Sequence, residues 1–391
     1  MNVFYDRQNN QWHSLDGALL GSNLLPTMKV QKPDSSWLHF HLQINNHFAG
    51  PIIGILTSKG RKESFAGNGP LFLSLQKEVQ KNNGLTIIFT SDDIINERSI
   101  SGFVFMQNQN KWVAVTAPLP HIVYNRIPFR RDENTDSFRK ARAFFSKNEI
   151  PFFNPNFLNK DRLFEVLKTS NKIKPLLPEI ININKKDGLY QFLIKMQKIY
   201  LKPANGAKGK GIYLLTMQEN DELSLAGTND TISFTSFEQF WNEWKNKMDT
   251  YEYLAQKAID PVLYNGFRYD FRVLAHFNGN NHEVTGVGIR QSQTQQITTH
   301  IPHGGKLIPY EKFQTDYLDQ FFKEIVSEIG NVLSKHLGVF GEFSIDTGLS
   351  KDGCYYIYEV NSKPMIFDEN EIEIKRIQRL TQLCLALSGF K

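Results

Sequence analysis

At 391 residues, with 40% hydrophobic and 22% charged side chains, the chain can fill two or three domain cores and is too apolar for a disordered protein. A net charge of +5 on 45 basic and 40 acidic groups accommodates an anionic ligand but lacks the strong basic excess of a nucleic-acid binder. Two cysteines exclude a disulfide framework, residues 1–10 lack an apolar core and no apolar run reaches membrane-spanning length, so the expectation is a cytoplasmic protein without a membrane span.

Residues 1–50 carry short alternating stretches broken by Gly and Asn, which predicts a small β-rich extension. His39 and His41 share one strand face there, as a metal pair or as a solvated face. The character changes at Pro51. The continuous run Ile52-Ile53-Gly54-Ile55-Leu56 predicts a strand buried on both sides, an amphipathic helix follows over 71–81, and 85–90 predicts a second strand. This β-helix-β order implies a parallel sheet and an α/β domain over about 51–150. The run 122–124 supplies another strand, ending in Asn125 and Arg126; Arg126 suits either an acidic substrate or a structural ion pair. A basic helix over 138–148, a strand over 150–153 and the Asn159-Lys160-Asp161 turn come next. Cys354 and Cys384 both fall in predicted core elements.

Two stretches carry chemistry. Residues 200–215, YLKPANGAKGKGIYLL, set a Gly/Lys-rich turn between two apolar runs, which predicts a β-hairpin. Its glycines let backbone N–H groups face an anion, and Lys202 lies on the entering strand; an exposed turn is the bland alternative. Phe237, Phe240, Trp241 and Trp244 recur at helical spacing and read as core. Residues 251–259 form a strand containing Gln256 and Lys257. On a later strand Arg268, Asp270 and Arg272 share one face, either as an ion-pair ladder or as a phosphate clamp; the next strand ends at Arg290. The polar loop 298–306 suits a cover over a ligand, and an amphipathic helix spans 316–337. The second chemical stretch is 341–364, GEFSIDTGLSKDGCYYIYEVNSKP. It predicts two strands that present Asp346 from one and Glu359 and Asn361 from the other. Three oxygen donors on otherwise apolar strands suit Mg²⁺, which offsets the cost of burying carboxylates.

Taken together, a lysine before a Gly-rich hairpin, a basic strand face and a terminal D…E-x-N resemble the ATP-grasp superfamily, the fold of D-alanine–D-alanine ligase, glutathione synthetase and the ribosomal-protein glutamate ligases. The pattern is most similar to the YheC/YheD family of endospore coat-associated ATP-grasp proteins. PIIGILTS (51–58), VYNRI (123–127), FFNPNFLNK (152–160), the 200–215 hairpin, YDFRVL (269–274), VTGVGIR (284–290), the 304–305 glycines and GEFSIDTG…YEVNSKP keep its order from about residue 51 to the end.

The resemblance implies an α+β or α/β architecture: an ATP-grasp domain over 151–391 preceded by an α/β pre-ATP-grasp domain and the β-rich extension. Its nucleotide-binding part would span about 160–255 and its metal-binding part about 256–391. It implies that Lys160 and Lys202 contact ATP phosphates, with the loop holding Gly206, Lys208, Gly209 and Gly211 folding over them. Gln256, Lys257 and Ala258 would border adenine, and Arg272 and Arg290, with Lys202, would act on the transferring phosphoryl group. Asp346, Glu359 and Asn361 would hold Mg²⁺. An acidic ribose partner is missing from its usual place, with Asp260 the candidate. The implied chemistry is ATP-dependent joining of a carboxylate to an amine through an acyl-phosphate, with a peptide or cell-envelope precursor as acceptor class and association with the spore coat. A phosphotransferase and a non-catalytic nucleotide-binding coat assembly protein are the alternatives on the same scaffold.

Overall fold

Ile52–Thr57 and Leu85–Thr90 are buried at every position, which is why neither run alternates. They pair in parallel at the centre of a six-stranded sheet. Ile122–Asn125 and Phe152–Phe153 extend that sheet in parallel on one side, and Ser99–Met106 and Lys111–Pro118 extend it as an antiparallel hairpin on the other. The structure is a computed structural model that describes residues 1–45, 48–61, 63–204, 211–227, 230–292 and 305–390, without the side chains of Lys160 and Asp161. Helix Gly69–Lys81 packs on the sheet through Phe72, Leu75 and Val79; the Asn68 side chain caps it by accepting from the Leu71 amide.

The β-rich start of the chain is not separate from this sheet. Its strands form two small four-stranded sheets, and Val3, Tyr5, Trp12 and Phe40 share one core with Leu56, Phe89, Val104 and Val115. Trp12 Nε1 donates to the Thr116 carbonyl (2.8 Å), and the Thr116 amide donates to the Tyr5 hydroxyl (2.7 Å). His39 and His41 both reach Asn2 Oδ1, at 3.1 and 2.8 Å, and His39 stacks on Phe4.

A second six-stranded sheet runs in the order Ile180–Asn182, Tyr253–Lys257, Lys198–Pro203, Tyr213–Met217, Leu223–Ala226, Thr231–Phe234. Helix Phe237–Thr250 buries its aromatic stripe against it, as its spacing predicts. The third sheet runs Lys306–Ile308, His282–Gln291, Phe267–Phe277, Glu342–Leu349, Tyr355–Asn361. Helix Asp316–Leu337 covers one of its faces through Phe322, Ile325, Ile329 and Leu333. The last helix, Asn370–Leu387, touches the opposite face through Ile372 and then returns to the first sheet, where Leu380, Leu383 and Cys384 join the core of Phe72 and Leu75. The Cys384 thiol is pushed up to about 12 by burial. Cys354, expected in the core, is instead exposed, because the Ser350–Gly353 turn carries it past the end of the strand. No helix among the described residues is long and apolar enough to cross a membrane.

His121 ties the start of strand Ile122–Asn125 to that of Ile52–Thr57: its Nδ1 accepts from the Ile52 amide at 2.9 Å. Burial lowers its pKa to about 4. Between pH 6.5 and 4 the unfolded chain therefore binds a proton that the folded chain refuses, so this group's contribution to stability falls as pH drops through that window. The expected loss is up to about 3 kcal/mol. Urea unfolding across this range should show a shallower pH dependence for His121→Gln than for the wild type. Parallel curves would remove His121 from the acid response.

Candidate active site

The face of the third sheet opposite helix Asp316–Leu337 holds the charges. Register places Gly288, Arg272, Asp346 and Glu359 side by side on four successive strands, with Asp270 opposite Arg290 and Asn361 opposite Ser344. Arg290 donates through Nε and Nη2 to the two oxygens of Asp270, at 2.9 and 2.8 Å, and its Nη2 also lies 3.2 Å from Asp346 Oδ2. Burial alone would pull the Arg290 pKa down, but Asp270 and Asp346 outweigh it and hold the guanidinium above its ordinary value. Asp270 therefore holds Arg290 on the neighbouring strand through both its oxygens. Arg272 is half-buried, donates to the Met365 carbonyl at 3.2 Å and lies over the Phe367 ring at 4.6 Å. Burial pulls its pKa down. Among the described residues, Arg272 Nε and Arg290 Nη1 are buried without a hydrogen-bond partner, which an incoming anion would correct.

The second sheet supplies the opposite wall. Tyr200, Lys202, Ile212, Gln256 and Lys257 face Arg268, Asp270, Arg290, Asp346, Tyr358 and Glu359 across a cavity of about 120 Å³. An adjoining hollow of about 440 Å³ is lined by Lys198, Ala258, Asp260 and Lys351, and Tyr200 and Arg268 border both. Arg268 Nη1 donates to the Tyr200 hydroxyl at 2.7 Å, bridging the two sheets. Ligand pockets run to roughly 300–1,000 Å³, a range that the second hollow reaches and the first does not.

Of the residues the sequence singles out, Lys202, Gln256, Lys257, Arg290, Asp346 and Glu359 line the first cavity, and Ala258 lines the second. Arg272 and Asn361 sit on the same sheet face. Gly211 closes the hairpin at φ +74°, and its carbonyl accepts from the Tyr253 hydroxyl at 2.8 Å. Lys160 opens helix Lys160–Leu167, its side chain outside the description; Gly206, Lys208 and Gly209 and the loop 298–304 lie outside the described residues. Arg126, one candidate for an acidic substrate, proves to be a structural partner, its Nη1 3.1 Å from buried Glu342.

Tyr358 is the site residue that strand alternation misses. Asp346 pairs with Glu359 and Thr347 with Ile357, so Tyr358 is an extra residue, bulged out of the ladder. The bulge lets Tyr358 and Glu359 both reach the cavity. Gly348 makes room, since a Cβ there would sit 2.6 Å from the Tyr358 hydroxyl. That hydroxyl is buried without a partner among the described residues, and burial raises its pKa. Glu369 is likewise missed: its carboxylate lies where a Cβ on Gly288 would be, 2.6 Å away, and burial raises its pKa against the pull of Arg272 and Arg290.

No group of three or more His, Cys, Asp or Glu gathers among the described residues. The donor set of Asp346, Glu359 and the Asn361 amide still fits Mg²⁺, which takes few carboxylates and completes its shell with waters and phosphate oxygens. A family model of YheC/D-like ATP-grasp proteins matches residues 149–387. The chain belongs to the YheC/D-like ATP-grasp family. Two curated relatives are similar over much of its length: endospore coat-associated protein YheD of Bacillus subtilis (strain 168), 28% identical over 90% of this chain and 80% of its own, and YheC of the same strain, 23% identical over 71% and 80%. Among solved structures, D-alanyl-alanine synthetase A from Vibrio cholerae O1 biovar eltor str. N16961 aligns with a TM-score of 0.52 at 12% identity, covering 87% of this chain and 99% of that one. The ATP-grasp ligase PsnB, complexed with precursor peptide PsnA2 and AMPPNP, aligns at 0.50 and 11%, covering 86% and 98%. At these identities the structural likeness speaks for the ATP-grasp fold.

Proposed function

We propose that this YheC/D-like protein is an ATP- and Mg²⁺-dependent ligase that joins a carboxylate to an amine through an acyl-phosphate, acting on a spore or cell-envelope component. The observation that carries the reading is Arg290, Asp346 and Glu359 facing Lys202, Gln256 and Lys257 across one cavity, with Arg272 beside Asp346 in the same row. Family membership supports ATP as the nucleotide, and the names of the YheC and YheD relatives support the spore setting. The proposed division places the β-rich extension at 1–50, the pre-ATP-grasp domain at 51–150 and the ATP-grasp domain at 151–391.

In this reading Gln256, Lys257 and Ala258 border the base, and Lys202, with Lys160 and the hairpin of Gly206, Lys208, Gly209 and Gly211, holds the phosphates. Asp346, Glu359 and Asn361 would hold Mg²⁺, which when bound neutralises charge on phosphate oxygens. Arg290, fixed by Asp270, and Arg272, fixed by Met365, present guanidiniums to the phosphoryl group without reorganising as charge develops. ADP release assayed against paired panels of carboxylates and amines tests the proposal. A ligase forms ADP, phosphate and an amide only when both co-substrates are present; ADP with a phosphorylated product and no amide would identify a phosphotransferase, and nucleotide binding without turnover a coat assembly role.

Lys202 tests the nucleotide wall alone. Its ammonium lies 5.3 Å from the Tyr200 ring centre and its stem lines the cavity. Lys202→Met retains most of the stem and loses the charge, so ATP affinity should drop by about tenfold or more. Stability of the free protein should stay within about 0.5 kcal/mol. Titration calorimetry and urea unfolding read the two effects; unchanged ATP affinity would displace Lys202 from the phosphate site.

A further inference from the structure

A third and larger cavity lies against helix Asp136–Lys147, outside the row of site residues. Its volume is about 620 Å³, and Arg130, Glu133, Arg139, Arg142, Asn156 and Phe157 form its wall. The size falls within the roughly 300–1,000 Å³ of small-molecule sites. Three arginines face one carboxylate, and that carboxylate is committed elsewhere. Glu133 Oε1 accepts from Lys363 Nζ at 2.5 Å and from Asn125 Nδ2 at 2.7 Å, and Oε2 accepts from the Phe157 amide at 2.7 Å. Arg139 is paired with Asp136 on its own helix. Arg142 is exposed and has no acidic partner among the described residues. Its guanidinium lies 6.0 Å from the Phe138 ring and 5.9 Å from the Phe152 ring. The Arg130 guanidinium lies 5.1 Å from the Phe157 ring. Guanidiniums laid on aromatic faces hold their donors toward the cavity and lose little freedom on binding a planar or tetrahedral anion.

The cavity is tied to the chemistry. Lys363, two residues beyond Asn361, reaches its wall through Glu133, Asn125 and the Ile127 carbonyl. Arg130 is close enough to Glu359 to feel its charge. We propose that this cavity receives the ligase's second substrate and that this substrate carries an anionic group, carboxylate or phosphate, which the Arg130–Arg139–Arg142 wall holds while the reacting end points toward Glu359. The assignment of a second substrate rests on the ligase reading; the anion selectivity does not.

The test is titration calorimetry on the full chain with triglutamate, glycerol 3-phosphate and, as the uncharged control, trialanine blocked as its N-acetyl amide, for the wild type, Arg142→Glu and Arg142→Lys. One of the two anionic probes should bind at least about tenfold tighter than trialanine, and Arg142→Glu should weaken it by about tenfold, while Arg142→Lys keeps most of the affinity. Which probe binds identifies the source as carboxylate or phosphate. Melting temperature and ATP affinity of both variants should match the wild type, which separates lost recognition from lost folding. Equal binding of trialanine and the anions, no binding of either anion, or anion binding undiminished by Arg142→Glu would each overturn the proposal. Binding is read apart from ADP release: an anion-selective cavity in a protein with no turnover across the co-substrate panels removes the ligase reading alone, and amide formation on uncharged acceptors, unaltered in Arg142→Glu, removes the cavity's role alone.

Discussion

Glu342→Gln should destabilise the protein by about 3–5 kcal/mol, the cost of leaving buried charge without its counter-charge. Glu342 is fully buried and so is Arg376, whose Nε and Nη2 donate to its two oxygens at 2.8 Å each. Arg126 donates to the same carboxylate at 3.1 Å, the Tyr124 hydroxyl donates to it, and His276 Nε2 lies 3.5 Å away. Burial pushes the Glu342 pKa up, but Arg376 first among its partners outweighs this, so the carboxyl is held well below its usual range and stays ionised. An amide at this position leaves two guanidiniums facing one neutral oxygen and turns an NH₂ toward them. The damage should reach beyond one element, because Tyr124 and Arg126 come from the first sheet, His276 from the third and Arg376 from the last helix. Urea unfolding compares it with Arg379→Gln, which breaks the exposed Glu283–Arg379 contact of 3.5 Å and should cost under about 1 kcal/mol. Equal midpoints for the two variants would show that the hub does not hold the sheets together.

The same hub explains why Arg126 could not be assigned from sequence. A strand-end arginine is read toward a ligand, and the carboxylate that claims it lies 216 residues later. Local patterns fared better. The unbroken run at 52–56 could only be a strand buried on both faces, and alternation alone set Asp346, Glu359 and Asn361 on one side of a strand pair. What escaped depends on departures from alternation or on partners distant in the chain. The bulge that swings Tyr358 beside Glu359 leaves no mark in a YYIYEVN repeat, since a bulge is a property of the pair of strands and not of either one. Likewise Asp270 shares a face with Arg268 and Arg272, yet both its oxygens accept from Arg290 of the adjacent strand, a partner that same-strand alternation does not reveal. Residues 1–50 read as an extension because their strands are short, yet Trp12 and Tyr5 bury against the first sheet, a contact that only the folded chain brings about.

Glu359→Gln should abolish most turnover while sparing nucleotide binding. The two carboxylates of the row are unequally placed. Asp346 is buried and engaged by Arg290 at 3.2 Å, whereas Glu359 is half-buried at the open end of the row, lining the cavity beside Tyr358. Negative charge for a cation facing that cavity therefore depends more on Glu359. Glutamine matches its shape and keeps an oxygen donor but removes the charge, so the fold should persist, with a urea midpoint close to that of the wild type. Ground-state affinity for ATP draws on Lys202 and the base-binding edge at Gln256 and Lys257 as well, and should fall by less than about tenfold. Charge accumulates on the phosphoryl oxygens only as the reaction proceeds, so loss of the compensating carboxylate weighs on the rate, by about 10²–10³ in kcat if it acts as one stabilising contact of the transition state. ADP formation by the wild type should vanish with EDTA and return with added Mg²⁺. Comparing kcat with ATP affinity for the wild type and Glu359→Gln, on the same carboxylate and amine panels, separates the possibilities. Matching turnover removes Glu359 from the mechanism, a parallel loss of binding and rate makes it a nucleotide-binding residue, and a loss confined to kcat places it where the charge develops.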